Sequence, residues 1–148
     1  MYSKILVCID GSKNARRAAK AGAEIALKFD AELHMLTVVR PFKATPKLQQ
    51  FLEVENLMGE PKYVLDEMVK DILAEARKHA EKSGVKKLVT HVKEGKPARS
   101  IVAFADDNDI DLIVIGSRGV GSDIENMLLG SVSHKVSAMA PCTVVIVR

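Results

Sequence analysis

The chain has 148 residues, a formal net charge of +3, 47% hydrophobic and 28% charged residues, and 4% aromatics with no Trp. That length and balance fit one domain, which can bury about two thirds of its unfolded surface without disulfides or metals. They argue against nucleic acid as a partner, which calls for a concentrated basic face and stacking aromatics, and no apolar run reaches membrane-spanning length.

Residues 4–10, KILVCID, make a continuous apolar run stopped by Asp10-Gly11-Ser12. They predict a strand buried on both faces. The segment before it is too short for a signal peptide, so a soluble, cytoplasmic protein is expected. Cys8 and Cys142 form no CxxC pair and are expected to be reduced thiols. A helix follows over 12–30, with Ala15, Ala18, Ala19, Gly22, Ile25, Ala26 and Phe29 on one stripe and Ser12 as its N-cap. Its small residues allow a close approach to a sheet.

Residues 31–39 predict the second strand. Residues 40–61, broken by Pro41, Pro46 and Pro61, form a long connection, for which a mobile insertion and a functional segment both stand open. A second helix is expected over 62–83, stopped by Gly84. A third strand covers 86–95. Pro97 then opens a helix whose stripe is Ala98, Ile101, Val102 and Ala105. The fourth strand is 111–116, the last helix runs over 130–140 to Pro141, and the fifth strand is 142–148.

Solid apolar strands alternating with amphipathic helices mean an α/β fold, a parallel sheet covered on both faces. Ligands bind such sheets at the carboxyl ends of the strands, where the strand order reverses. The feature that stands out there is VIGSRGVGSDIENMLLGSVSHKV, residues 114–136, with Gly116, Gly119, Gly121 and Gly130. Its last glycine precedes Ser131, Val132 and Ser133 at a helix start. The first amides of a helix lack internal acceptors and sit at the positive end of its dipole, so they suit a phosphate. The alternative is a glycine-rich turn with Ser131 as a plain N-cap. No GxxxxGK[ST] occurs, and the turn after the first strand lacks GxGxxG, which argues against Walker-type and dinucleotide sites.

KILVCIDGS at the start, GKPARSIVAFADDNDIDLIVIGSRG in the second half, then LLGSVSHKV and APCTVVIVR closely resemble the universal stress protein family over essentially the whole chain. The resemblance implies a single domain over 1–148. It also implies a three-layer α/β sandwich of the adenine nucleotide alpha hydrolase-like, Rossmann-like type, with a five-stranded sheet of order 3-2-1-4-5. Some members bind ATP through Gly, two residues, Gly, nine residues, then Gly followed by Ser or Thr. Gly116, Gly119 and Gly130-Ser131 match the ends of that motif, while the spacer 120–129 holds one residue more, which Gly121 could absorb in a turn.

Carried over residue by residue, the resemblance places Asp10 near the ribose or a phosphate-bound Mg2+ or Mn2+. Cys8 and Ile9 line the pocket by their backbone. Val38 meets the adenine, Ile115 packs near the base, Arg118 lies near the phosphates, and Ser131, Val132 and Ser133 hold them. It further implies a homodimer through the C-terminal strand and a nucleotide-dependent regulatory role, with a non-nucleotide protein acting through protein partners and a weak ATPase as alternatives. No nucleophile is paired with a general base, so any ATP hydrolysis is expected to be slow. His34, His79, His91 and His134 share no zinc-ligand spacing, and the acids of 105–111 read as a helix end and a solvated loop.

Overall fold

Strand β1 (Lys4–Cys8) is the central member of a parallel sheet ordered β3-β2-β1-β4-β5. The others are β2 (Glu32–Val39), β3 (Leu88–Glu94), β4 (Leu112–Gly116) and β5 (Thr143–Val147). This is a computed structural model, and it describes residues 1–41, 45–47, 50, 61–120 and 129–148, with the backbone alone over 61–65. Most of the connection expected at 40–61, and Gly121 with it, therefore lies outside the described residues.

The strands alternate between two cores because successive side chains leave a strand on opposite faces. Ile5 and Val7 join Leu33, Met35, Leu112 and Val114 on one side, under helices α1 (Lys13–Phe29) and α2 (Pro61–Lys82). Leu6 and Cys8 join Leu36, Ile113 and Ile115 on the other, under α3 (Pro97–Asp107) and α4 (Ser131–Met139). Ile5, Leu6, Leu33, Leu36, Leu112 and Ile113 are all fully buried, and burial of such a side chain contributes about 1.5–3 kcal/mol. The three layers and the strand order agree with the sequence expectation.

The small-residue stripe of α1 has a definite function in packing. A Cβ on Gly22 would run into the side chain of Val7, so glycine here sets how closely α1 lies on β1. Ser12 caps α1 as expected, its hydroxyl accepting the Ala15 N–H at 3.1 Å. Gly84, at φ +101°, ends the helix that precedes β3 in a conformation that side chains rarely adopt.

Asp111 departs from its expected place in a solvated loop. Its carboxylate accepts the Ser3 N–H at 2.9 Å, while Lys4 Nζ donates to the Asn108 carbonyl at 3.1 Å. These bonds tie the first residues of the chain to the start of β4.

The histidines, far apart in sequence, also meet. His34 on β2 and His91 on β3 stack with ring centroids 5.1 Å apart, and His34 Nδ1 lies 2.9 Å from His91 Nε2. Phe104 of α3 packs on both rings. Glu32 Oε1 sits 2.8 Å from His34 Nε2, within ion-pair distance, although the N–H is not aligned on it for a hydrogen bond. Burial is the main cause that holds both imidazoles below the ordinary His range. For His34 the nearby Glu32 opposes this and Lys4 reinforces it, while for His91 the charges of His34 and Lys93 add to it.

Both rings are therefore neutral in the fold at pH 7, whereas the unfolded chain titrates them near 6.5. Below that pH the unfolded state takes up protons that the native state refuses, so stability falls with pH and levels off once the lowered native values are passed. In urea unfolding series from pH 7 to pH 5, the midpoint of the wild type is expected to drop. The His34→Leu, His91→Leu double variant should show a clearly flatter profile, and parallel profiles would contradict this account.

Candidate functional site

The strand order reverses between β1 and β4, and at their carboxyl ends a cavity of about 360 Å³ opens. Cys8, Ile9, Asp10, Val38, Ile115, Gly116, Arg118, Gly119, Gly130, Ser131, Val132 and Ser133 all line it. Residues drawn from four separate stretches of chain are thus brought around one space. One end is apolar and lies against Val38, Ile115 and Cys8. The other is formed by the loop after β4 and the start of α4.

The two ends of that loop are fastened at Ser117. Its carbonyl accepts the Gly130 N–H at 2.6 Å and the Ser133 hydroxyl at 2.8 Å. The Ser133 hydroxyl also lies 3.1 Å from the Gly130 carbonyl. Ser133 is buried, so its hydroxyl serves the closure of the loop and only its backbone remains to face a ligand. The N-cap of α4 is Gly130, with φ −71° and ψ 162°, and among the described residues no side chain caps this helix. Ser131 is thus the first helical residue rather than the cap, and the plain N-cap alternative does not hold. The amides that begin α4 have no acceptor within the helix, in contrast to α1, where Ser12 supplies one.

The glycines divide their work. A Cβ on Gly116 would lie 2.8 Å from the backbone carbon of Asn14 and 3.0 Å from Ala15 N, so this glycine admits the first turn of α1. Asn14 Nδ2 donates to Ser117 Oγ at 3.3 Å at the same junction. On Gly119 a Cβ would lie 2.8 Å from Asp10 Oδ2, so the loop there is shaped around the Asp10 carboxylate. Asp10 is exposed, and its Oδ1 accepts the Ser12 N–H at 2.9 Å, which leaves Oδ2 turned toward the loop.

The backbone of Ile9 is occupied: its N–H donates to Leu36 O at 2.9 Å and its carbonyl accepts Thr37 Oγ1 at 2.8 Å. Burial, and after it the charge of Asp10, pushes the Cys8 thiol up to about 12, so it is a neutral, unreactive wall at pH 7. Among the described residues no group of three His, Cys, Asp or Glu could hold a metal ion.

Leu36, Arg40, Pro97 and Ile101 also line the cavity; Arg40 and Pro97 follow the second and third strands at the expected binding edge, whereas the sequence pattern did not single out Leu36 and Ile101. Period two from Val38 reaches Leu36 and Arg40, which was a usable signal. Ile101 was recognised as a helical residue, but only the packing of α3 on the sheet brings it here.

The universal stress protein family matches this chain over residues 1–148. Universal stress protein YxiE of Bacillus subtilis is 36% identical over the whole of both chains. Among solved structures, universal stress protein UspA from Lactobacillus plantarum superposes with a TM-score of 0.82 at 30% identity, covering 99% of this chain and 98% of its own. A universal stress protein in complex with cAMP gives 0.74 at 28% identity, covering 99% and 97%. No helix among the described residues is long and apolar enough to cross a membrane.

Two substitutions separate scaffold from ligand contact. Gly116→Ala forces a methyl against the backbone of α1 and should cost about 1–3 kcal/mol. Ser133→Ala removes one of two donors to the Ser117 carbonyl and should cost about 1 kcal/mol. Urea unfolding of the ligand-free protein at pH 7 measures both, and unchanged midpoints would refute the assigned packing roles.

Proposed function

The chain belongs to the universal stress protein family, and on that premise we propose that it binds an adenine nucleotide, ATP with Mg2+ or Mn2+, and acts as a nucleotide-dependent regulatory protein. The observation that carries the reading is the uncapped N-terminus of α4 opening on a cavity whose other end is apolar. An apolar slot suits a base, and open amides at a helix dipole suit phosphates. The cAMP complex of a 28% identical relative supports an adenine nucleotide as the ligand class.

In this reading Val38, Ile115 and Cys8 enclose the base. Asp10 holds the ribose or the cation that a nucleotide brings, and Ser131, Val132 and Ser133 present their amides to phosphate. Arg118 and Gly119 close the loop side, with Gly116 and Gly130 fixing its two ends. Asp10 is the sole acid among the described lining residues, and in this reading it binds rather than activates water. Hydrolysis is accordingly expected to be slow.

The proposal extends to one domain over 1–148, a cytoplasmic setting that suits the free thiols Cys8 and Cys142, and a homodimer formed through β5. The apolar residues Val144, Val145, Ile146 and Val147 are only partly buried on this edge strand, and an unpaired apolar edge invites a partner strand. The regulatory output would pass to a protein partner that senses occupancy. The ten-residue spacer 120–129 supports a second reading, a relative that acts without nucleotide.

Ser131→Pro is the informative variant. Proline is tolerated at a first helical position, and the extended backbone of Gly130 accommodates it. The change removes one amide donor and one hydroxyl without disturbing the helix. By isothermal titration the wild type should bind Mg-ATP, and Ser131→Pro should bind it about tenfold or more weakly at equal thermal stability. No heat of binding from the wild type at millimolar ATP would favour the nucleotide-independent reading.

A further inference from the structure

Arg40 follows β2 immediately and lines the apolar end of the cavity, together with Leu36, Val38, Pro97 and Ile101. It is exposed and makes no hydrogen bond or ion pair among the described residues, so none of them accounts for a guanidinium at this rim. A single residue lies between Leu36 and Val38, and another between Val38 and Arg40. Along an extended chain that spacing puts all three on one face, the face on which Leu36 and Val38 pack with α3.

The anion end lies elsewhere. It is built on β4 and α4, and β4 is separated from β2 by the whole width of β1. At about 4.8 Å per strand spacing that is roughly 10 Å. A ligand lying across the switch point with phosphates at α4 therefore presents its other end, the ring system, to Arg40.

Resting on the nucleotide reading above, we propose that Arg40 is a binding residue for the base, its planar guanidinium lying over the ring that Val38 and Ile101 hold from the other sides. Guanidinium is well suited to this position. It is planar and weakly hydrated, and it stacks on aromatic faces while its edge stays in water. Lysine has the charge but no plane to lay on the ring. The contact favours a purine, whose larger face offers more area, and it confers affinity through the base regardless of how many phosphates follow.

The test compares the wild type with Arg40→Ala and Arg40→Lys, by titration with AMP, ADP, ATP and inorganic tripolyphosphate at fixed ionic strength. Arg40→Ala is expected to weaken AMP, ADP and ATP by a similar factor, about fivefold to tenfold. Tripolyphosphate affinity should be unchanged, and Arg40→Lys should restore less than half of the loss on a logarithmic scale. A loss that grows from AMP to ATP, extends to tripolyphosphate and is rescued by lysine would make Arg40 a phosphate contact and overturn the proposal. Undiminished binding of all three nucleotides by Arg40→Ala would overturn it as well, with the nucleotide site itself left standing. If the wild type binds none of the nucleotides, the underlying reading falls and this one with it.

Discussion

The carbonyl of Ser117 is the point on which the candidate site hangs. It accepts the Gly130 N–H at 2.6 Å and the Ser133 hydroxyl at 2.8 Å, while the Ser117 N–H donates to Val147 at 2.7 Å. One residue thereby joins the end of β4, the end of β5 and the start of α4. With those ends fixed, the entry direction of α4 and the exposure of its first amides follow irrespective of the path taken between them. This bears on the extra residue of the 120–129 spacer. Lengthening a loop whose ends are already held costs only on the order of 0.1 kcal/mol per residue in closure entropy. The first amides of the helix belong to α4 and not to the spacer, so the extra residue leaves them where they are.

The fold was legible in the sequence because its signals are local and repeated. A strand buried on both faces reads as an apolar run, and a covering helix reads as a stripe, so KILVCID and the alanine-rich segment after it declared themselves without tertiary knowledge. The reversal point then located Asp10 and the loop after Gly116. Beyond that, long-range packing took over. Gly116 matches the first glycine of the family motif, and its missing Cβ is what admits Asn14 and Ala15 of α1. The resemblance sets Ser133 among the residues that hold phosphates, yet its hydroxyl is turned inward to Ser117. The His34–His91 pair joins residues 57 apart, and Asp111 reaches back to Ser3 across 108. No periodicity in the sequence could reveal such meetings.

The two faces of the sheet carry different duties. Under α1 and α2 the core sets alanines of the helices against Ile, Val, Leu and Met of the strands, with Gly22 pressed against Val7. Under α3 and α4 the same strands present Leu36, Cys8 and Ile115, and the layer opens toward the cavity at its carboxyl edge. Cys8 sits on this second face and lines the cavity. A small, neutral side chain fills the floor without adding charge beside Asp10, and its raised thiol keeps it so.

The clamp between Ser3 and Asp111 has a bearing on how the chain comes to be folded. β1 can pair with β2 as soon as residue 39 is made, but its other neighbour, β4, is completed only at Gly116. The cavity needs both, and the side lined by Ser131, Val132 and Ser133 needs α4 as well. During synthesis the central strand must therefore wait, half paired, until more than three quarters of the chain has emerged. The site is among the last parts of the molecule to exist, so anything that occupies it reads out a chain whose two halves have closed on each other.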